Sequence, residues 1–145
     1  MVAPIWNIAD DVLRDVFLRG QYRDVILPMV VLRRLDALLE PTKEEVEEEI
    51  KESGIENVDE GVLKDITGLS YFNTSKWTLN RLKSQASDSN DILYDNFVEY
   101  LNGYSENVRD VLRHFEYYSK ARKLADNDRL LSIIERITDP RINLT

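Results

Sequence analysis

Residues 26–39, ILPMVVLRRLDALL, constrain this chain more than any other stretch. Around them, from Tyr22 to Glu40, Pro28, Val31, Leu32, Leu35, Leu38 and Leu39 recur at three- and four-residue spacing, the mark of one buried helical face. Ile26, Leu27 and Val30 make the first half apolar almost all round, so the sequence places this helix at the centre of a domain. Pro28 has no amide hydrogen to donate, which predicts a kink there or a helix that starts late. Arg33 and Arg34 interrupt the apolar run; helix neighbours stand about 100° apart, so both cannot face a core. One is expected at the helix edge, its stem on apolar surface and its head paired with an acid such as Asp36 or with a partner residue.

Helical periodicity runs through the rest of the chain. In IWNIADDVLRDVF, the residues Ile5, Ala9, Val12, Leu13, Val16 and Phe17 form one stripe, with Gly20 as the expected end. After Pro41, Thr42 and Glu45 read as a capping box that opens the exposed helix KEEVEEEIKES, closed by Gly54. Residues 57–68 predict a short helix with a terminal glycine, and LSYFNTSKWTLNRLKSQA starts irregular and turns helical after Trp77 or Thr78. SDSND is a turn-and-cap cluster before a helix built on Leu93, Phe97, Tyr100 and Leu101, which Asn102-Gly103 stops. Ser105 is expected to cap the helix of Val108, Val111, Leu112 and Phe115. Leu130, Ile133, Ile134 and Ile137 repeat the pattern up to Asp139-Pro140. The reading is all-α: one compact, bundle-like domain over residues 1–145, of about seven helices, with at most a minor short strand near residue 71.

Several chemistries are excluded. A chain of 145 residues without cysteine has no disulfide, thiolate zinc site or cysteine nucleophile, which fits a reducing cytoplasm. No apolar run approaches the roughly 18 residues that span a bilayer, and MVAPIWNIADD lacks the basic-then-apolar layout of a secretory signal. The glycines stand at 20, 54, 61, 68 and 103, so no Gly-x-Gly lets a backbone approach a nucleotide phosphate. The prolines, at 4, 28, 41 and 140, are never adjacent. His114 is the single histidine and reads as a polar residue at a helix edge. The acid clusters Asp10-Asp11, Asp88/Asp91/Asp95 and Asp126/Asp128 read as helix-start caps, and the glutamates of 44–52 as a solvated face.

Net charge is −8, yet it is unevenly spread. Residues 41–66 carry −7, whereas 67–87 hold three cations and no acid, and 109–145 hold eight cations against six acids. Arg109 and Arg113 lie one turn apart; if their helix runs unbroken past Tyr118, Lys120 and Lys123 return to the same side, with Arg122 nearby. Lys76, Arg81 and Lys83 interleave with Tyr71, Phe72 and Trp77, a pattern open to phosphate contact, base stacking or plain core anchoring. With Arg33 and Arg34, these cations are the candidate contacts for DNA or a partner. Composition and spacing alone reach a helical interaction domain.

The order of segments goes further. IWNIADDVLRDVF, ILPMVVLRRLDALLEPTK, YFNTSKWTLNRL and NFVEYLNGYSENVRDVLRHFEYYSKARKLADNDRLLSIIERI, in that order, resemble the start of HsdM, the methylation subunit of type I restriction–modification systems. The resemblance runs from Ile5 to Leu144. It implies a bacterial or archaeal cytoplasmic protein whose parent is an adenine-N6 DNA methyltransferase. In that family a Rossmann-like domain binds S-adenosylmethionine, and an Asn-Pro-Pro-Phe/Tyr motif holds the flipped adenine. A helical N-terminal domain precedes it, and INLT reads as the linker between the two. No catalytic, cofactor or metal residue is therefore expected in this chain. The family also implies packing on the catalytic domain and closure of two methylation subunits around DNA with the specificity subunit. The restriction subunit joins in the full complex, and the helical domain is implicated in sensing whether one strand is already methylated. The functional expectation is a non-catalytic domain for DNA clamping and assembly. Its alternatives are a purely protein-binding or regulatory module and, further off, a free-standing hydrolase or metal enzyme.

Overall fold

The structure, a computed structural model, describes residues 3–86 and 89–140, with side chains from residue 7 onward. The side chain of Ile5, the Ser87-Asp88 part of the turn cluster and the INLT segment lie outside the described residues. Nine α-helices are present among them: α1 (Ala3–Leu13), α2 (Tyr22–Leu39), α3 (Lys43–Ser53), α4 (Glu60–Thr67), α5 (Leu79–Ser84), α6 (Asn90–Gly103), α7 (Glu106–His114), α8 (Tyr117–Asp126) and α9 (Leu130–Ile137). Single 3-10 turns at Arg19–Gln21 and Glu40–Thr42 lead into α2 and α3.

The number of helices exceeds the expected seven chiefly because Glu116 adopts a left-handed conformation, φ 53°, ψ 41°, between α7 and α8. A left-handed residue cannot continue a right-handed helix, so the chain turns there. Replacing Glu116 by glycine, which adopts that conformation freely, is expected to leave stability unchanged or slightly higher; Glu116→Val is expected to cost about 1–2 kcal/mol. Urea unfolding of both variants checks the sign of each.

α9 rather than α2 holds the centre. It packs against α1, α2, α5, α6 and α8, and Leu130, Ile133, Ile134 and Ile137 are all buried. α2 begins at Tyr22 and continues through Pro28, so the late start does not occur. Its Val25, Ile26, Met29 and Leu32 are buried, but Leu27, Val31 and Leu38 stand 41–49% exposed. The nearly all-round apolar helix is thus covered on one side only. Tyr117 ties α8 to α2 by donating its buried hydroxyl to the Val25 carbonyl at 2.9 Å. Val46, Leu63 and Phe72 form a second, smaller apolar cluster beneath α3 and α4.

Helix ends depart from expectation in instructive ways. α1 stops at Leu13, well before Gly20, and Asp15 takes a positive φ in the turn that follows. Thr42 precedes α3 but donates its hydroxyl to the Leu39 carbonyl instead of capping. Ser105 precedes α7, yet its hydroxyl bonds Asn107, and the Asn107 carboxamide oxygen accepts from the Val108 amide. Asp59 and Thr78 do cap α4 and α5, and Ser89 caps α6. The strand near residue 71 reduces to one antiparallel bridge, Asn73 with Tyr104.

Candidate functional site

The open side of α2 faces α7 across an apolar groove of about 540 Å³. Leu27, Pro28, Val31, Leu32 and Leu35 form one wall, and Val108, Val111, Leu112 and Phe115 the other. Tyr71 and Asn107 fasten one end: the Tyr71 hydroxyl donates to the Leu35 carbonyl at 3.0 Å, and Asn107 Nδ2 to the Ser70 carbonyl at 3.0 Å. Pro28, Leu32, Val108 and Leu112 are buried, so the floor is fixed by packing. Val31 and Val111 remain 47% and 49% exposed across its mouth. Exposed apolar side chains gathered on two adjacent helices mark an interaction surface more often than isolated ones do.

Behind that end lies a buried polar hub. Asp36 Oδ1 accepts from the Leu79 amide at 3.2 Å and from the Tyr100 hydroxyl at 3.1 Å; Tyr100 and Tyr104 share a 2.6 Å hydrogen bond. Burial pushes the Asp36 carboxyl up to about 6, against the pull of Leu79 and Tyr100. Lys43 is buried too, donating to the Ser75 carbonyl at 2.6 Å, and burial draws its ammonium down to about 8. Burial also raises both Tyr100 and Tyr104 well above the ordinary tyrosine range. These groups lock the 71–79 segment to α2, α3 and α6. Polarity in the apolar α2 stripe at Asp36 was the one sequence signal for this hub. The role of Lys43, lying among glutamates, had none.

The candidate cations are scattered and mostly engaged. Arg109 pairs with Glu106 at 2.8 Å, and Arg113 with Glu106 and Asp110. Arg122 bridges Asp91 at 2.7 Å and Asp126, and its guanidinium stacks on Tyr94. Arg81 pairs with Glu47 at 2.6 Å. Lys83 reaches the Thr138 hydroxyl, and Lys120 the Phe115 carbonyl. Lys76 lies over Trp77 and Lys123 over Phe17. Arg33 is half-buried on α2 and Arg34 exposed. The break at Glu116 puts Arg109 and Arg113 on a different helix from Lys120 and Lys123, so the single continuous stripe does not form.

Of the readings open for Tyr71, Phe72 and Trp77, core anchoring holds, since all three are buried. The expectation of helix-start caps is corrected. Asp10 and Asp11 sit late in α1 rather than at its start, and pair with Arg14 and Arg136. Asp126 closes α8, and Asp128 lies in the following turn with a left-handed φ of 59°. His114 does end α7, exposed and edge-on to Phe115. Among the described residues no group of three or more potential ligands could hold a metal ion, and no helix is long and apolar enough to cross a membrane.

The described residues thus form an all-helical body with an apolar groove between α2 and α7. A family model described as the HsdM N-terminal domain matches residues 1–137, nearly the whole chain. This chain belongs to that family: it is the N-terminal part of a type I restriction–modification methylation subunit. No curated protein and no solved structure matches it.

Proposed function

We propose that the domain serves assembly: through the α2–α7 groove it docks on other parts of the type I methyltransferase. The observation that carries this is the contrast between an open apolar groove and an arginine surface already neutralised by local acids. Family membership supports a non-catalytic role, since the methylation chemistry and S-adenosylmethionine belong in this reading to the catalytic domain of the parent subunit. Partners in the reading are that catalytic domain, the specificity subunit, a second methylation subunit and, in the full complex, the restriction subunit, all in the cytoplasm.

A second reading, DNA clamping, has one observation in its favour. The pairs of Arg113 and Arg122 are solvent-exposed and that of Arg109 half-buried, and exposed pairs contribute only about 0–1 kcal/mol, so phosphate could displace the acids of the first two. A clamp would add affinity with little sequence reading.

Duplex affinity measured across a salt series separates the two. If the arginines grip phosphate in the assembled enzyme, Arg109→Glu with Arg113→Glu should flatten the log–log salt slope by about 2. Under the assembly reading the slope stays unchanged, and Val31→Asp with Val111→Asp disrupts the complex instead.

A further inference from the structure

The exposed side of α2 carries more than apolar residues. Arg23, Leu27, Val31, Arg34 and Leu38 are all exposed and follow one another at spacings of four, four, three and four. That spacing keeps them on a single line of the helix. Arg23 and Arg34, eleven residues apart, fall on nearly the same bearing, about 16 Å from each other along the axis. They bracket Leu27 and Val31 along the groove's outer edge. Arg34 also lies close enough to the groove's closed end to draw the Tyr71 hydroxyl downward, against the burial that holds it near about 12.

These two cations differ from seven of the other arginines. Arg14, Arg19, Arg81, Arg109, Arg113, Arg122 and Arg136 each have a carboxylate within 4 Å. Among the described residues, Arg23 and Arg34 have none. In a chain of net charge −8, two unpaired cations flanking an open apolar seam are an arrangement that asks for acid from outside.

We infer that the groove's occupant is an amphipathic helix of another polypeptide. It lies along α2 with apolar residues against Leu27, Val31 and Val111, and carboxylates near both ends opposite Arg23 and Arg34. The inference rests on the assembly reading above and narrows it to one partner chemistry. Helix-in-groove recognition takes apolar anchors one helical turn apart, and the seam offers Leu27 and Val31 four residues apart with Val111 across the groove. A second copy of this chain fits poorly. α2 against α2 would set arginine against arginine. The acidic helices α3, α4 and α6 expose no apolar run: Val46 is buried, and Val62 and Ile92 stand alone among the large exposed apolar residues of α4 and α6.

The test uses two helix-stabilised synthetic peptides of about five turns, each with a leucine seam. One carries glutamates eleven residues apart at its flanks, the other lysines at the same places. Fluorescence anisotropy at low salt is expected to show the glutamate peptide binding at least tenfold more tightly. Arg23→Glu with Arg34→Glu is expected to invert that preference, and Val31→Asp to abolish binding of both; circular dichroism verifies that each variant is folded. Equal affinity for the two peptides, or no binding of either, overturns the inference. Concentration-dependent dimerisation of the chain that Val31→Asp removes would also overturn it, in favour of a second copy. The assembly reading fails separately, if Val31→Asp leaves the methylation complex intact. If Val31→Asp breaks the complex while the arginine reversals do not, assembly stands and the acidic-helix partner is wrong.

Discussion

Asp36→Asn is expected to make the domain more stable than the parent at pH 7 and to lose that advantage on acidification. In the folded chain burial holds the Asp36 carboxyl near about 6, whereas in the unfolded chain it titrates near about 4. A raised carboxyl contributes stability that is fully present below the unfolded value and is lost as pH rises through the folded one. Between about pH 4 and 6 the parent should therefore lose up to about 3 kcal/mol that the asparagine variant keeps. Lys43 does not blur this window, because a lysine drawn down to about 8 is charged in both states below that pH. The asparagine carboxamide oxygen, standing where Asp36 Oδ1 stands, can still accept from both the Leu79 amide and the Tyr100 hydroxyl. Asp36→Ala has no such recourse and is expected to cost about 1–3 kcal/mol for the stranded donors. Urea unfolding of parent and variant at half-unit pH steps measures the difference; a flat line from pH 4 to 7 would contradict the buried-carboxylate account.

Gly103→Ala is expected to destabilise the domain by about 1–3 kcal/mol, although glycine to alanine in a helix ordinarily gains about 1 kcal/mol. The sign reverses because Gly103 lies against the 73–75 segment. A Cβ there would meet the Asn73 carboxamide oxygen and lie 2.7 Å from the Ser75 amide nitrogen. That segment cannot recede freely. The Thr74 amide donates to the Gly103 carbonyl at 2.7 Å, and Asn73 Nδ2 to the Tyr100 carbonyl at 3.0 Å. Gly20→Ala, with nothing within 4 Å of the new atom, is the matched control and is expected to change little. A thermal-unfolding midpoint for Gly103→Ala equal to or above the parent's would show that the crossing is looser than described.

The helices were legible where one apolar stripe repeats. α6, α7 and α9 follow from Leu93/Phe97, Val108/Leu112 and Ile133/Ile137, and each of those residues is buried. The break at Glu116 was not legible, because glutamate is a good helix former and its type does not mark the left-handed conformation it takes. The end of α1 was misplaced for a related reason. Val16 and Phe17 keep the stripe's spacing while leaving the helix, and Phe17 is still buried from the turn. Of the groove, the sequence showed an α2 too apolar for a surface helix, but periodicity cannot say which side another helix will cover. The pairing of Arg109, Arg113 and Arg122 follows the i, i+3 and i, i+4 acids around them, which a reading confined to the cations passed over.

The most direct test of the assembly account is sedimentation velocity of the parent methylation subunit with the specificity subunit. The native subunit would be compared with one carrying Val31→Asp and Val111→Asp. Both side chains are about half exposed, so the folded domain should survive the change, and circular dichroism checks that it does. The account expects the native complex to form and the doubly substituted subunit to sediment apart or as an opened, slower particle. A complex of unchanged sedimentation coefficient and affinity would contradict it and leave the groove without a part in assembly.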